Sequence, residues 1–109
     1  MIRHIVLTKF KSETAEDEIA EIYAGLLKLT KKLSGAHNFT GGRSISPEQI
    51  ERGYLHGFVI DFDSMADLIA YAEHPEHQAL GSQLVENAIG AVDGILVVDL
   101  DLRPNAMTL

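Results

Sequence analysis

Two histidines, a tyrosine and a proline lie within the segment Tyr71–His77, which reads Tyr-Ala-Glu-His-Pro-Glu-His. Histidine titrates near pH 7 and can accept or donate a proton, and a tyrosine hydroxyl can donate a hydrogen bond. Pro75 interrupts helical structure, so the placement of His74 relative to His77 depends on a bend in the chain. The segment therefore combines the groups needed for general acid–base chemistry.

Two further histidines lie on predicted strands. His4 alternates with Val6 in the first strand and His56 alternates with Phe58 in the third, so each imidazole shares a strand face with an apolar side chain. If these faces meet the helices, both imidazoles point into the interior. We expect them to converge with Tyr71 on one cavity.

The helix after Pro75 is predicted to supply the other wall of this cavity, because His77 shares its apolar face with Leu80 and Leu84. A methylene between two carbonyl groups is acidic enough for a histidine base. Tyr71 can donate to the carbonyl oxygen that gains charge. Proton transfer of this kind contributes about two to four orders of magnitude in rate. A rate contribution of this size is enough for cyclisation, isomerisation or decarboxylation of a reactive ketone.

Two other interpretations stay open. Histidines on apolar strand faces are commonly hydrogen-bonded core residues, and an imidazole at the Pro75 bend would then cap the preceding helix. Alternatively, the histidines bind zinc or a similar metal with Glu73, Glu76 or Asp61. Because Pro75 prevents a simple helical histidine pair, no recognised ligand spacing is present, and no specific metal site is predicted.

Composition narrows the class of protein. The chain has 109 residues, 46% of them hydrophobic, no cysteine and a formal net charge of −7, which suits a single globular domain over residues 1–109. The acidic balance argues against nucleic-acid and anionic-membrane partners, which attract basic patches. The N-terminus lacks the apolar core of a signal peptide. We expect a soluble, cytoplasmic protein.

Hydrophobic periodicity predicts the order strand, helix, strand, strand, helix, strand. This is the ferredoxin-like βαββαβ arrangement, an α+β fold whose antiparallel four-stranded sheet has both helices on one face. We expect residues 103–109 to form an extension or a frayed end. The predicted strands cover residues 2–10, 37–45, 53–62 and 92–102.

Helix ends are predicted from capping residues. Thr14 and Asp17 resemble a capping box at the start of the first helix, and Gly35 suits its C-terminal cap. Ser64 is the predicted N-cap of the second helix, which resumes after Pro75. The predicted inner face of this helix before the proline contains Met65, Leu68, Ile69 and Ala72.

The predicted strands carry apolar residues on both faces, whereas two helices can cover only one. An exposed apolar sheet face is typical of an association surface. We therefore predict a homodimer in which two sheets pack face to face, as a sandwich or a dimeric α/β barrel.

These features resemble the stress-responsive dimeric α/β-barrel (Dabb) domain family. The specific match is Tyr-x-x-His-Pro-x-His at residues 71–77, and the resemblance spans roughly residues 2–103. It implies a ferredoxin-like protomer that forms a face-to-face dimer. The weaker matches are His4, Phe10-Lys11, Gly42, Gly53–His56, Phe62–Ser64 and Asp99.

The resemblance also implies candidate site residues. Most of the family has no assigned reaction, but a plant polyketide cyclase similar to this chain performs an intramolecular aldol condensation of a poly-β-keto thioester between sheet and helices. By motif position, its catalytic tyrosine and histidine correspond to Tyr71 and His77. Its other pocket histidines correspond to His4 and His56.

The resemblance implies a different substrate here. Aromatic positions on the pocket side of the cyclase's first helix correspond to Ile22 and Leu26, and an acidic chain disfavours a phosphorylated carrier such as coenzyme A.

We expect a pocket that binds a small apolar or carbonyl-containing molecule without a cofactor. The alternatives are a cofactor-independent lyase, cyclase or isomerase with His77 as base, and a histidine metal-binding protein. The predicted ligand-binding residues are His4, His56, Val6, Phe58, Ile22, Leu26, Leu80 and Leu84.

Overall fold

The computed structural model describes residues 1–102, and the tail predicted at 103–109 lies outside the described residues. The predicted βαββαβ order is confirmed, with the second helical region divided in two at His74. A short 3-10 helix, Ala91–Gly94, precedes the last strand. The main elements are β1 (Ile2–Thr8), α1 (Glu16–Lys32), β2 (Ala36–Arg43), β3 (His56–Phe62), α2 (Met65–Glu73), α3 (Pro75–Asn87) and β4 (Ile95–Asp101).

The four strands form one antiparallel sheet in the order β2-β3-β1-β4. In the two central strands, alternate residues are buried beneath the helices, as the pleat of a strand requires. The core between sheet and helices is largely aliphatic and aromatic. Its most deeply buried large side chains include Leu26, Leu29, Ile60, Phe62 and Tyr71.

Helix α1 forms because its apolar residues recur at helical spacing, and its ends carry complementary charges, acidic in the first turn and basic in the last. The predicted caps are wrong. Ala15 is the N-cap, while the Thr14 hydroxyl donates to the side-chain oxygen of Asn87 at 3.2 Å. The helix ends in extended backbone at Leu33, and Gly35 does not adopt a positive φ.

Helix α2 begins as predicted, because the Ser64 hydroxyl accepts a hydrogen bond from the Asp67 N–H at 3.2 Å. The predicted inner face is only partly correct. Leu68 is buried together with Tyr71, whereas Met65 and Ile69 are 54% and 49% exposed. The buried stripe therefore runs through Leu68 and Tyr71, three residues apart, whereas Met65 and Ile69 face outward.

The sheet face opposite the helices is apolar and uncovered. We call it the open face. It includes Leu96, Val98 and Leu100 of β4, which are 42%, 40% and 43% exposed. At one end of this face the Arg3 guanidinium donates to Asp61 at 2.9 Å and holds the pKa of that carboxyl below its usual value. No helix within residues 1–102 is long and apolar enough to cross a membrane.

Candidate functional site

A cavity of about 740 Å³ lies between the helix-facing side of the sheet and helices α2 and α3. Most of its wall is apolar, and its polar side chains include two histidines and a tyrosine. We call it the main cavity. It is lined by His4, Val6, Phe58, Leu68, Tyr71, Ala72, His77, Gln78, Gly81, Ser82, Leu84, Val85, Glu86, Val92, Ile95 and Val97.

Tyr71 is held in the wall of the main cavity by three rings. Its ring centroid lies 5.1 Å from Phe62, 5.8 Å from His4 and 4.4 Å from His77. The side chain is buried, and its hydroxyl has no hydrogen-bond partner among the described residues. Burial raises the pKa of Tyr71, so the phenol stays protonated at neutral pH and can act as a donor.

The bend at Pro75 sets the orientation of His77. His74 is the N-cap of α3, where its Nδ1 accepts from the Glu76 N–H at 3.1 Å. The carbonyl of Ala72, near the end of α2, accepts from Nδ1 of His77 at 2.9 Å. One imidazole at the bend therefore does cap the preceding helix, and it is His77.

This hydrogen bond also selects a tautomer of His77. With the proton on Nδ1, the second ring nitrogen, Nε2, carries a lone pair. Desolvation lowers the pKa of His77, and the hydrogen bond to the Ala72 carbonyl offsets only part of this lowering. The imidazole is therefore neutral at pH 7, in the form required of a general base.

His4 is oriented by a different partner. Asp99 lies opposite His4 in the β1–β4 register, and its carboxylate accepts from Nδ1 of His4 at 2.6 Å. This pairing was not predicted from the sequence. The alternating pattern of β4 could have revealed it, because Asp99 interrupts the apolar residues at a position that antiparallel pairing brings to His4.

His56 does not reach the main cavity, so the expected convergence of all four side chains is wrong for this residue. Its Nε2 lies 3.1 Å from both carboxylate oxygens of Glu16, and the ring packs edge-on against Phe10. The cause is the antiparallel register. His56 pairs with Thr8, four residues along β1 from His4, which corresponds to about 13 Å.

The apolar residues predicted for the pocket divide into two groups. Val6, Phe58 and Leu84 line the main cavity. Ile22 and Leu26 are instead buried in the core beneath α1, and Leu80 packs against that core, so these three do not line the cavity. The lining contributed by the 3-10 helix and β4 was not predicted, because strand alternation alone does not show which face of an edge strand lies under a helix.

Within residues 1–102, no three histidine or acidic side chains are placed to hold a metal ion. His37 contacts Asp63 at 3.0 Å on the exposed side of the sheet edge. The two histidines that share a cavity, His4 and His77, each use Nδ1 for a contact within the protein.

The stress responsive A/B barrel (Dabb) domain profile matches residues 2–102. The chain belongs to this family. A solved dimeric ferredoxin-like protein of unknown function from Jannaschia sp. CCS1 is 40% identical with a TM-score of 0.87, covering 93% of this chain and 98% of that one. This similarity agrees with the predicted fold and with the resemblance carried by the Tyr-x-x-His-Pro-x-His motif.

Two curated plant proteins are also similar to this Dabb protein. A stress-response A/B barrel domain-containing protein of Arabidopsis thaliana is 27% identical over 108 residues, 99% of this chain and 94% of its own length. Olivetolic acid cyclase of Cannabis sativa is 25% identical over 80 residues, 73% of this chain and 79% of its own length. One of these two relatives is thus named for an enzymatic activity.

Proposed function

We propose that this Dabb protein is a homodimer whose main cavity binds a small, largely apolar carbonyl compound. The observation that carries the proposal is the Tyr71 hydroxyl, which is buried in the wall of an apolar cavity without a hydrogen-bond partner in the described part of the chain. An unpaired buried polar group costs about 1–3 kcal/mol. The carbonyl oxygen of a ligand would accept this hydrogen bond and remove that cost.

The open face supports the homodimer. Its apolar strand residues are uncovered by any helix, and contiguous apolar surface of this kind is typical of association sites. The Jannaschia relative with the same fold is described as dimeric. Two copies related by a two-fold axis would cover each other's open face and leave both cavities on the outer, helical layers.

An acid–base reaction at the bound carbonyl compound is a second candidate function, favoured by the short distance between the His77 and Tyr71 rings. Nε2 of His77 would take a proton from the carbon next to the carbonyl, and the electron pair of the C–H bond would move to the carbonyl oxygen. The Tyr71 hydroxyl would stabilise the resulting enolate, a contribution of roughly 3 kcal/mol. Return of the proton to another atom of the ligand isomerises it. If the enolate carbon instead attacks a second carbonyl carbon of the ligand, a ring closes, and the new alkoxide takes the proton back from His77.

The binding proposal is tested with benzoylacetone, a neutral β-diketone with one phenyl ring, by isothermal titration calorimetry. Loss of one hydrogen bond in Tyr71→Phe should weaken binding about tenfold. Tyr54→Phe is the matched control, since Tyr54 lies outside the main cavity. Equal affinity of wild type and Tyr71→Phe would show that the hydroxyl is not the ligand's donor, and absence of binding to wild type would refute the carbonyl-ligand proposal.

The catalytic candidate is tested by the ketonisation of benzoylacetone, which changes its ultraviolet absorbance. We expect wild type to accelerate the reaction above the buffer rate and His77→Asn to reduce that acceleration about 100-fold or more. The asparagine amide can still donate to the Ala72 carbonyl, so the helix cap is retained while the base is lost. An unchanged rate in folded His77→Asn would eliminate His77 as the base.

A further inference from the structure

Among the described residues, two glycines lie inside α-helices, and their surroundings differ. A Cβ placed on Gly25 of α1 would approach Cδ2 of Leu80 to 2.7 Å, so close helix packing explains the glycine there. A Cβ placed on Gly81 of α3 would meet no heavy atom within 4 Å, and its φ is not positive. Glycine is less favourable than alanine inside a helix. Neither packing nor backbone conformation therefore requires glycine at position 81.

Gly81 lines the main cavity, one helical turn after His77. Residues four apart lie on the same helix face, so the space left by the missing side chain adjoins the imidazole. Val85, a further turn along α3, continues the same wall. The absent side chain thus widens the cavity beside the candidate base.

The charge of the lining restricts the ligand that would use this space. Among the described residues that line the main cavity, none is lysine or arginine, and Glu86 is the single carboxylate. A carboxylate or phosphate on the ligand would lose its hydration without gaining a fixed cationic partner. The lining therefore disfavours an anionic ligand, and its largely apolar wall favours an uncharged one.

We propose that Gly81 sets the size limit of the cavity, and that the ligand is an uncharged carbonyl compound whose ring or branched chain lies against Gly81. The carbonyl part rests on the proposed function, whereas the size limit concerns only the apolar wall. Gly81 is a specificity-determining residue in this arrangement, and it takes no part in proton transfer.

The test compares Gly81→Ala and Gly81→Leu with Gln83→Leu, which places a leucine on the same helix at an exposed position outside the cavity lining. The probes are toluene, acetylacetone and benzoylacetone, and binding is followed by chemical-shift changes in NMR. The leucine side chain would occupy the space beside Gly81 that a ring needs. Gly81→Leu should therefore bind the ring-bearing probes, toluene and benzoylacetone, about tenfold or more weakly than wild type does. Acetylacetone should change by about twofold or less, and Gln83→Leu should bind all three probes as wild type does.

Each outcome has a defined meaning. Loss of toluene binding in Gly81→Leu supports the size limit even if wild type fails to bind either diketone, a failure that would remove only the carbonyl part. Unchanged toluene and benzoylacetone binding in Gly81→Leu overturns the size limit and leaves the carbonyl proposal standing. Wild type that binds none of the three probes overturns both. A raised Tm of Gly81→Ala alongside a lowered Tm of Gly25→Ala would verify that Gly81, unlike Gly25, has no structural role.

Discussion

His4 and His77 face the same cavity, and each ring is oriented by a different hydrogen-bond partner. Nδ1 of His77 is tied to a neutral backbone carbonyl, whereas Nδ1 of His4 is tied to the Asp99 carboxylate. Hydrogen bonds to an ionised acceptor are roughly twice as strong as neutral ones. His4 is therefore the more firmly held ring, and His77 is the ring whose desolvation keeps it neutral.

Asp99 is expected to act as a positioning residue for His4. In Asp99→Asn, a charge-assisted bond becomes a neutral one, and a loss of about 1.4 kcal/mol corresponds to a tenfold lower kcat/KM for benzoylacetone ketonisation. Asp101→Asn, two residues along β4 and outside the cavity lining, is the control. Equal kcat/KM values for wild type and Asp99→Asn would argue against this role.

The pH dependence of activity should report His77. Because the pKa of His77 is lowered from 6.5, the base is deprotonated at neutral pH and becomes protonated only as the pH falls below that value. The ketonisation rate should therefore be constant near pH 7 and fall on the acidic side with a midpoint below 6.5. A midpoint above 6.5, or a profile that His77→Asn leaves unaltered, would contradict the assignment.

At the scale of elements, the division between α2 and α3 is what brings Tyr71 and His77 together. Tyr71 is buried near the end of one helix, and His77 lies in the first turn of the next. The proline at the first position of α3 needs no N–H there, so the bend costs little. The break was predicted from the sequence, because a proline inside a helical pattern interrupts the helix locally, whatever the rest of the fold does.

The Ser64 cap should contribute measurably to α2. Removing an N-cap hydroxyl costs about 1 kcal/mol, so Ser64→Ala should lower Tm by roughly 4–8 °C in a domain of this size. Ser34→Ala, at an exposed serine between α1 and β2, is the control and should leave Tm nearly unchanged. The comparison is made by thermal denaturation at one protein concentration, since association would raise both values. Equal Tm for Ser64→Ala and wild type would mean that the cap is dispensable.

Local patterns predicted the elements well and the contacts between them less well. Thr14 has the residue type of an N-cap, yet its hydroxyl donates to the side chain of Asn87, the last residue of α3. No local sequence pattern contains this tertiary contact. His56 has the alternation of a cavity residue, but its register with Thr8 places it beside Glu16. Pairwise register and helix placement decide such contacts, and both depend on the whole chain.

At the scale of the whole molecule, the open face should control association. Val98→Glu places a charge at the centre of β4's outward-facing apolar residues and should convert a dimer to a monomer, because a buried unpaired carboxylate is costly. Leu27→Glu is the control, since Leu27 is similarly exposed, at 37%, on α1 and away from the sheet. Light scattering at micromolar concentration gives the mass. A dimeric Val98→Glu, or a monomeric wild type, would remove this interface.

The alternation of β1 has an evolutionary consequence. His4 and Val6 face the main cavity, while Ile5 and Leu7, the residues between them, point to the open face. Gene duplicates could therefore diverge in the choice of subunit partner through one set of positions and in the choice of ligand through the other. A one-residue insertion within β1 would exchange the two sets, so we expect substitutions in this strand to be tolerated far more often than insertions or deletions.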